Sequence, residues 1–160
     1  MGKFNFDKSD FEKVKNNAEI FYNSIGEVYS PYFKEKIAFN AKGWEHLKFK
    51  RREKPRLPQD QYMRFRLISL AVEIIKSSHT LQGIWETSKF ERIRINSRTE
   101  NIFKPVNYYE FIAVIKRNRV KLILKRINGG QIFFWSLIPF WGMDKSTMSR
   151  ILHDGFPDED

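Results

Sequence analysis

The sequence contains no cysteine, which excludes a disulfide framework, a thiolate metal site and thiol redox chemistry. A cytoplasmic location is the expectation. No stretch approaches ~18 uninterrupted apolar residues, so no transmembrane helix is expected. No apolar run follows the opening Met1 to Asp7, so no signal peptide is expected either. No glycine-rich loop leads into a helix, which argues against a nucleotide-cofactor fingerprint. Histidine is scarce, with 3 in the chain, and none sits at a zinc-like spacing from another ligand. No cofactor and no metal are expected.

What is abundant is positive charge and aromatic surface. The 160 residues carry a net charge of +10, and 16 % of them are aromatic. The charge is concentrated. Residues 1–35 have a net charge of −1, residues 36–126 of +14 and residues 127–160 of −3. Carboxylates are thin in the basic middle, which argues against a two-metal nuclease. A basic region of this kind in a chain with enough apolar residues for a core most often meets phosphate, so nucleic acid is the expected partner and a membrane is not. A solvated basic surface with no specific partner is the plain alternative.

The stretch around which the chain is organised is Tyr108 to Trp141. Three runs rich in β-branched and aromatic residues are separated by a break near Asn118 and by Asn128-Gly129-Gly130. This is the pattern of antiparallel strands joined by tight hairpins. Lys121 and Lys125 alternate with Val120, Leu122 and Leu124, which predicts one apolar and one cationic face. Upstream, Ser9 to Glu12 reads as a capping box before a helical stripe ending at Gly26. Residues 36–39 read as a short strand, and residues 53–58 as a proline-broken loop. The strongest helix runs from Gln59 to Ser77, with Pro58 at its start. Residues 90–95 read as a strand, 96–107 as polar and irregular, 144–152 as a short helix and 158–160 as a disordered acidic end. The expected fold is α+β, with N-terminal helices packed on a roughly four-stranded antiparallel sheet. One domain is expected over 1–155, followed by an acidic tail at 156–160.

His46 is the leading candidate for chemistry. Histidine is the commonest general acid or base, and here it lies among Lys42, Lys48, Lys50, Arg51 and Arg52. A surface histidine is the plain alternative. Ser136 sits among Phe133, Phe134, Trp135, Leu137 and Ile138, where its hydroxyl must find a partner. That partner is either the backbone or a phosphate oxygen. Arg64 and Arg66 lie on the long helix, and Arg66, flanking the buried stripe, is the one taken as a candidate phosphate ligand. Lys121, Lys125 and Arg126 form a candidate phosphate track with Lys48, and Trp135 is a candidate base-stacking side chain.

The order Ile37 to Leu47 with His46, then a basic loop, a long helix, and antiparallel strands ending in Phe134-Trp135-Ser136-Leu137-Ile138-Pro139, resembles the barnase/EndoU/colicin/RelE-like nucleases. The likeness is strongest to their phage- and toxin-type branches and spans roughly residues 30–141. The resemblance implies helices against a four-stranded antiparallel sheet and metal-independent RNA cleavage by 2′-hydroxyl attack. It implies a catalytic set of His46 and Ser136, with Lys50, Arg51 or Arg66 supplying the phosphate-binding cation. It also implies a toxin-like role with a neutralising antitoxin or immunity-type partner. The chain departs from barnase itself in lacking an evident glutamate base on a sheet strand and a histidine near the end of the sheet. A non-catalytic RNA- or DNA-binding domain of the same fold is the alternative.

Overall fold

The computed structural model describes residues 8–51, 53–95, 98–140, 143–144, 149–150 and 157–160. The architecture is α+β, with three helices and a mostly antiparallel six-stranded sheet. Helix α1 (Lys8–Ile25) precedes a hairpin of β1 (Glu27–Ser30) and β2 (Glu35–Ala38). Helix α2 (Ala41–Lys48) and a small hairpin of β3 (Phe49–Arg51) and β4 (Lys54–Pro55) lead to α3 (Pro58–Ser77). A four-strand meander follows: β5 (Gly83–Ile95), β6 (Arg98–Ile115), β7 (Asn118–Ile127) and β8 (Phe133–Phe140). The short strands β9 (Met143–Asp144) and β10 (Ser149–Arg150) pair only with each other. No helix among the described residues is long and apolar enough to cross a membrane.

The expected four strands are the meander. The β1–β2 hairpin adds two more, giving the order β1-β2-β8-β7-β6-β5 with β2 parallel to β8. β2 is the short strand expected over 36–39; β1, of four residues, is too short to show a period in the sequence. The polar segment expected to be irregular is instead the first half of β6, paired residue by residue with β5. Long-range pairing overrides weak local propensity there. The proline-broken loop expected over 53–58 contains β4, which pairs back onto β3, with Glu53 at φ 63° ahead of it. The short helix expected over 144–152 is not formed where the chain is described: Asp144 and Ser149–Arg150 are extended, and the remaining positions lie outside the described residues.

Turn chemistry fixes the meander. Lys116 and Arg117 both have positive φ, 50° and 65°, joining β6 to β7 in two residues. Asn128 and Gly129 also have positive φ, 49° and 72°, in the five-residue connection 128–132 between β7 and β8. The main core lies between helices and sheet. It joins Ala18 and Tyr22 of α1, Trp44 and Leu47 of α2, and Leu67, Ala71 and Ile75 of α3 to Leu122, Leu124, Phe134 and Leu137 of the sheet. Gly43 permits the closest approach. A Cβ at that position would collide with the Phe134 carbonyl and lie 2.5 Å from the Tyr22 hydroxyl. Helix α2 is thereby seated directly on β8.

β8 carries an irregularity. Leu124 pairs with Phe134 but Ile123 pairs with Ser136, so Trp135 is an extra residue, a β-bulge. In an unbroken strand Phe134 and Ser136 share a face. Here Phe134 and Leu137, three apart, both enter the main core, while Ser136 stands opposite Ile123 of a second, smaller cluster.

Candidate functional site

β2 meets β8 at one position, Ala38 opposite Phe133. Beyond it, residues of β8 meet α2 and α3. The bulged Trp135 stacks on His46, with centroids 3.9 Å apart and planes at 15°. The Lys125 ammonium lies 4.0 Å from the same Trp135 centroid. Two groups this close to one centroid must take opposite faces, so the indole is held between imidazole and ammonium. Tyr108 tilts against Trp135, 5.4 Å from the Lys125 ammonium.

Two arginines complete the hollow. The main-chain N–H of Arg56 donates to the Lys48 carbonyl at 2.8 Å, which turns its side chain back toward α2. Its Nε donates to the His46 carbonyl at 2.9 Å and its Nη2 approaches His46 Nε2 at 3.0 Å. Arginine has only donors, so His46 Nε2 accepts. Arg64 comes from α3, at the same helical phase as Leu67, Ile68, Ala71 and Ile75, and is fully buried. Its Nη1 donates to Ser136 Oγ at 2.5 Å. Asp60 bridges the pair, accepting from Arg64 Nε at 2.8 Å and lying 3.5 Å from Arg56 Nη1.

Asp60 sets one carboxylate between the two guanidiniums, which leaves the hollow cationic until the buried Asp160 side chain adds a second. Burial, reinforced by the charge of Arg64, lowers the Arg56 guanidinium from 12.5 to about 10, with Asp60 and Asp160 acting in the opposite sense. Arg64 Nη2 is buried and has no hydrogen-bond partner among the described residues. An unsatisfied buried donor on a charged group is costly, and it marks a place where an acceptor belongs.

Residues 157–160 enter this hollow. The Asp160 main-chain oxygen accepts from Arg64 Nη1 and Ser136 Oγ, each at 2.5 Å, and from Arg56 Nη2 at 3.3 Å. The Glu159 carbonyl accepts from Arg56 Nη2 at 2.9 Å. The acidic end, expected to be disordered, is therefore docked, because its oxygens meet buried donors.

The structure brings His46 and Ser136, distant in the chain, to one point: both reach Arg56 or the oxygen that Arg56 holds. Lys50 and Arg51 stand at the mouth, beside the Glu159 carboxylate. Lys125 and Trp135 adjoin the hollow, but the indole faces are already covered. The remaining candidates are turned elsewhere. Arg66 is exposed and donates to the Tyr62 hydroxyl at 3.2 Å. Lys48 pairs with Glu45, Lys121 with Glu110 and Arg126 with Glu35. Lys125 and Arg126 could not share a track, because neighbours on a strand face opposite ways. Sequence reasoning missed Arg56 and passed over Arg64 for Arg66. The signal for Arg64 was its helical phase; for Arg56 there was none beyond its place between two prolines. Among the described residues no group of three or more His, Asp or Glu is placed to hold a metal ion. Comparisons with models of protein families, with curated proteins and with solved structures find no match.

Proposed function

We propose that this hollow binds the scissile phosphodiester of RNA and that the protein is a metal-independent endoribonuclease, acting in the cytoplasm. The observation that carries the reading is the buried guanidinium pair with an unfilled donor. Arg64 offers Ser136 and the docked segment one nitrogen and has another left over. A single main-chain oxygen cannot fill that fork, whereas a phosphate offers two oxygens to it. Beside it lies His46, the one imidazole in the described part of this hollow; His79 is exposed at the end of α3.

The chemistry follows from those positions. The 2′-hydroxyl attacks the adjacent phosphorus and the bond to the 5′-oxygen breaks, leaving a 2′,3′-cyclic phosphate and a free 5′-hydroxyl. Arg56 and Arg64 hold the non-bridging oxygens as negative charge grows, the term that usually dominates such sites. Ser136 donates to one of these oxygens. When Arg56 turns its Nη2 from His46 to the phosphate, Nε2 is released to move a proton between the attacking and leaving oxygens. A toxin-like role with a neutralising partner is part of the same reading, supported by the resemblance described above.

Incubating the purified protein with end-labelled RNA in EDTA tests it. Cleavage with cyclic-phosphate ends, lost by about 10²–10⁴-fold in His46→Ala with RNA retention intact, is the expected result. Retention without cleavage leaves a nucleic-acid-binding domain. No retention even at low salt, where counterion release favours binding most, overturns both.

A further inference from the structure

Residues 157–160 do more than touch the hollow at one point. The Trp135 indole N–H donates to the Pro157 carbonyl at 2.9 Å. The Tyr108 hydroxyl donates to the Asp158 carboxylate at 2.6 Å, with Lys125 lying over the Tyr108 ring. The Glu159 carboxylate stands 3.6 Å from Arg51 Nη1 and 4.0 Å from Lys50 Nζ. The Asp160 main-chain oxygen ends at Arg56, Arg64 and Ser136. Successive residues thus meet successive donors. Beside residues 159 and 160 the wall grades inward, from Arg51 at 62 % side-chain exposure through Lys50 at 29 % to the fully buried Arg64, while Tyr108 and Lys125 beside residue 158 are themselves buried.

We propose that residues 157–160 lie along the path of the substrate strand and mark three successive anion positions: Tyr108 with Lys125, Lys50 with Arg51, and Arg56 with Arg64 and Ser136. The inference rests on the phosphodiester reading and deepens it. The site takes a single-stranded oligonucleotide rather than a lone phosphate, and the acidic segment competes with it. A duplex is too broad to follow four residues into a buried end. The segment is an imperfect occupant. It brings three carboxylates to a wall that already holds Lys50, Arg51, Arg56, Arg64 and Lys125 against Asp60, and it leaves Arg64 Nη2 unfilled. A longer polyanion that satisfies this donor displaces it.

The test uses a fluorescein-labelled 2′-O-methyl hexaribonucleotide, which lacks the attacking hydroxyl, and reads affinity by anisotropy. The full-length double variant Asp158→Asn/Glu159→Gln is compared with Glu12→Gln/Glu19→Gln on α1, which makes the same change in net charge away from the site. The expected result is a roughly ten-fold tighter complex for the first variant than for the second, about 1.4 kcal/mol. Inorganic phosphate, which needs only the inner position, gains less than the hexamer. Equal affinities for the two double variants, or an equal gain for phosphate and hexamer, overturn the track while leaving the inner site intact, provided Arg64→Met still weakens binding. Binding that ignores Arg64→Met overturns the phosphodiester reading itself.

Discussion

Two buried regions of this protein are built on opposite terms. Between the helices and the sheet, Ile37, Leu47, Ile74, Leu122 and Phe134 are closed off from water by hydrocarbon alone. A few residues away along β8, Arg64, Ser136, His46 and Arg56 are buried almost as completely, yet two of the four carry full charge. The first region is what a fold requires. The second opposes folding, because desolvating two neighbouring guanidiniums is only partly offset by Asp60 and by borrowed main-chain oxygens. Perturbed charges gathered in a hollow mark a candidate site, and the phosphodiester proposal rests on that mark.

The contrast can be broken by paired substitutions. The largest effect is expected in the apolar region: Phe134→Ala should lose about 3–5 kcal/mol of unfolding free energy in urea, since it empties a fully buried ring site. Arg64→Met should do the reverse. Its urea midpoint should stay close to the parent's, while RNA cleavage falls by about 10²–10³-fold. A large stability loss in Arg64→Met would show that the charged region is structural after all.

Smaller effects sharpen the same contrast. Inorganic phosphate should raise the melting temperature of the parent, by about 2.7 kcal/mol of added stability at a hundredfold excess over Kd, and leave that of Arg64→Met unchanged. The acid–base behaviour of Arg56 gives a sign. Its folded value of about 10 lies below the ordinary 12.5, so its charge opposes folding at neutral pH, and that opposition is relieved as the pH rises from about 10 toward 12.5. Phosphate affinity, which needs the charge, should weaken over the same rise, as titration calorimetry would show. The least effect belongs to Arg66→Ala: exposed and turned to Tyr62, it should leave both melting temperature and cleavage unchanged.

Much of the apolar region is legible in the sequence. β7, β8 and the second half of β6 follow from alternation and turn residues, and α3 from its stripe, because short-range periodicity and burial agree there; the start of β5 and the first half of β6, held by long-range pairing, do not. His46 and Ser136 stood out as polar residues in revealing surroundings. Arg64 did not, although the stripe that predicts α3 also gives its phase, in line with Leu67 and Ala71; the sequence favours Arg66, flanking that stripe, because a charge on the buried face runs against the pattern. Arg56 and the docking of residues 157–160 depend on segments about a hundred residues apart meeting, which no local pattern encodes.

The bulge at Trp135 lets one strand serve both buried regions. Phe134 faces the hydrocarbon and Ser136 the guanidiniums although a residue stands between them in the chain. Were the strand to run unbroken with Trp135 in register, plain alternation would send the hydroxyl and the ring to the same side; deletion of Trp135 would instead make them neighbours and leave them on opposite faces. What that deletion would take away is the indole held between His46 and Lys125, so the strand would keep its facing while the packing beside Arg56 is lost.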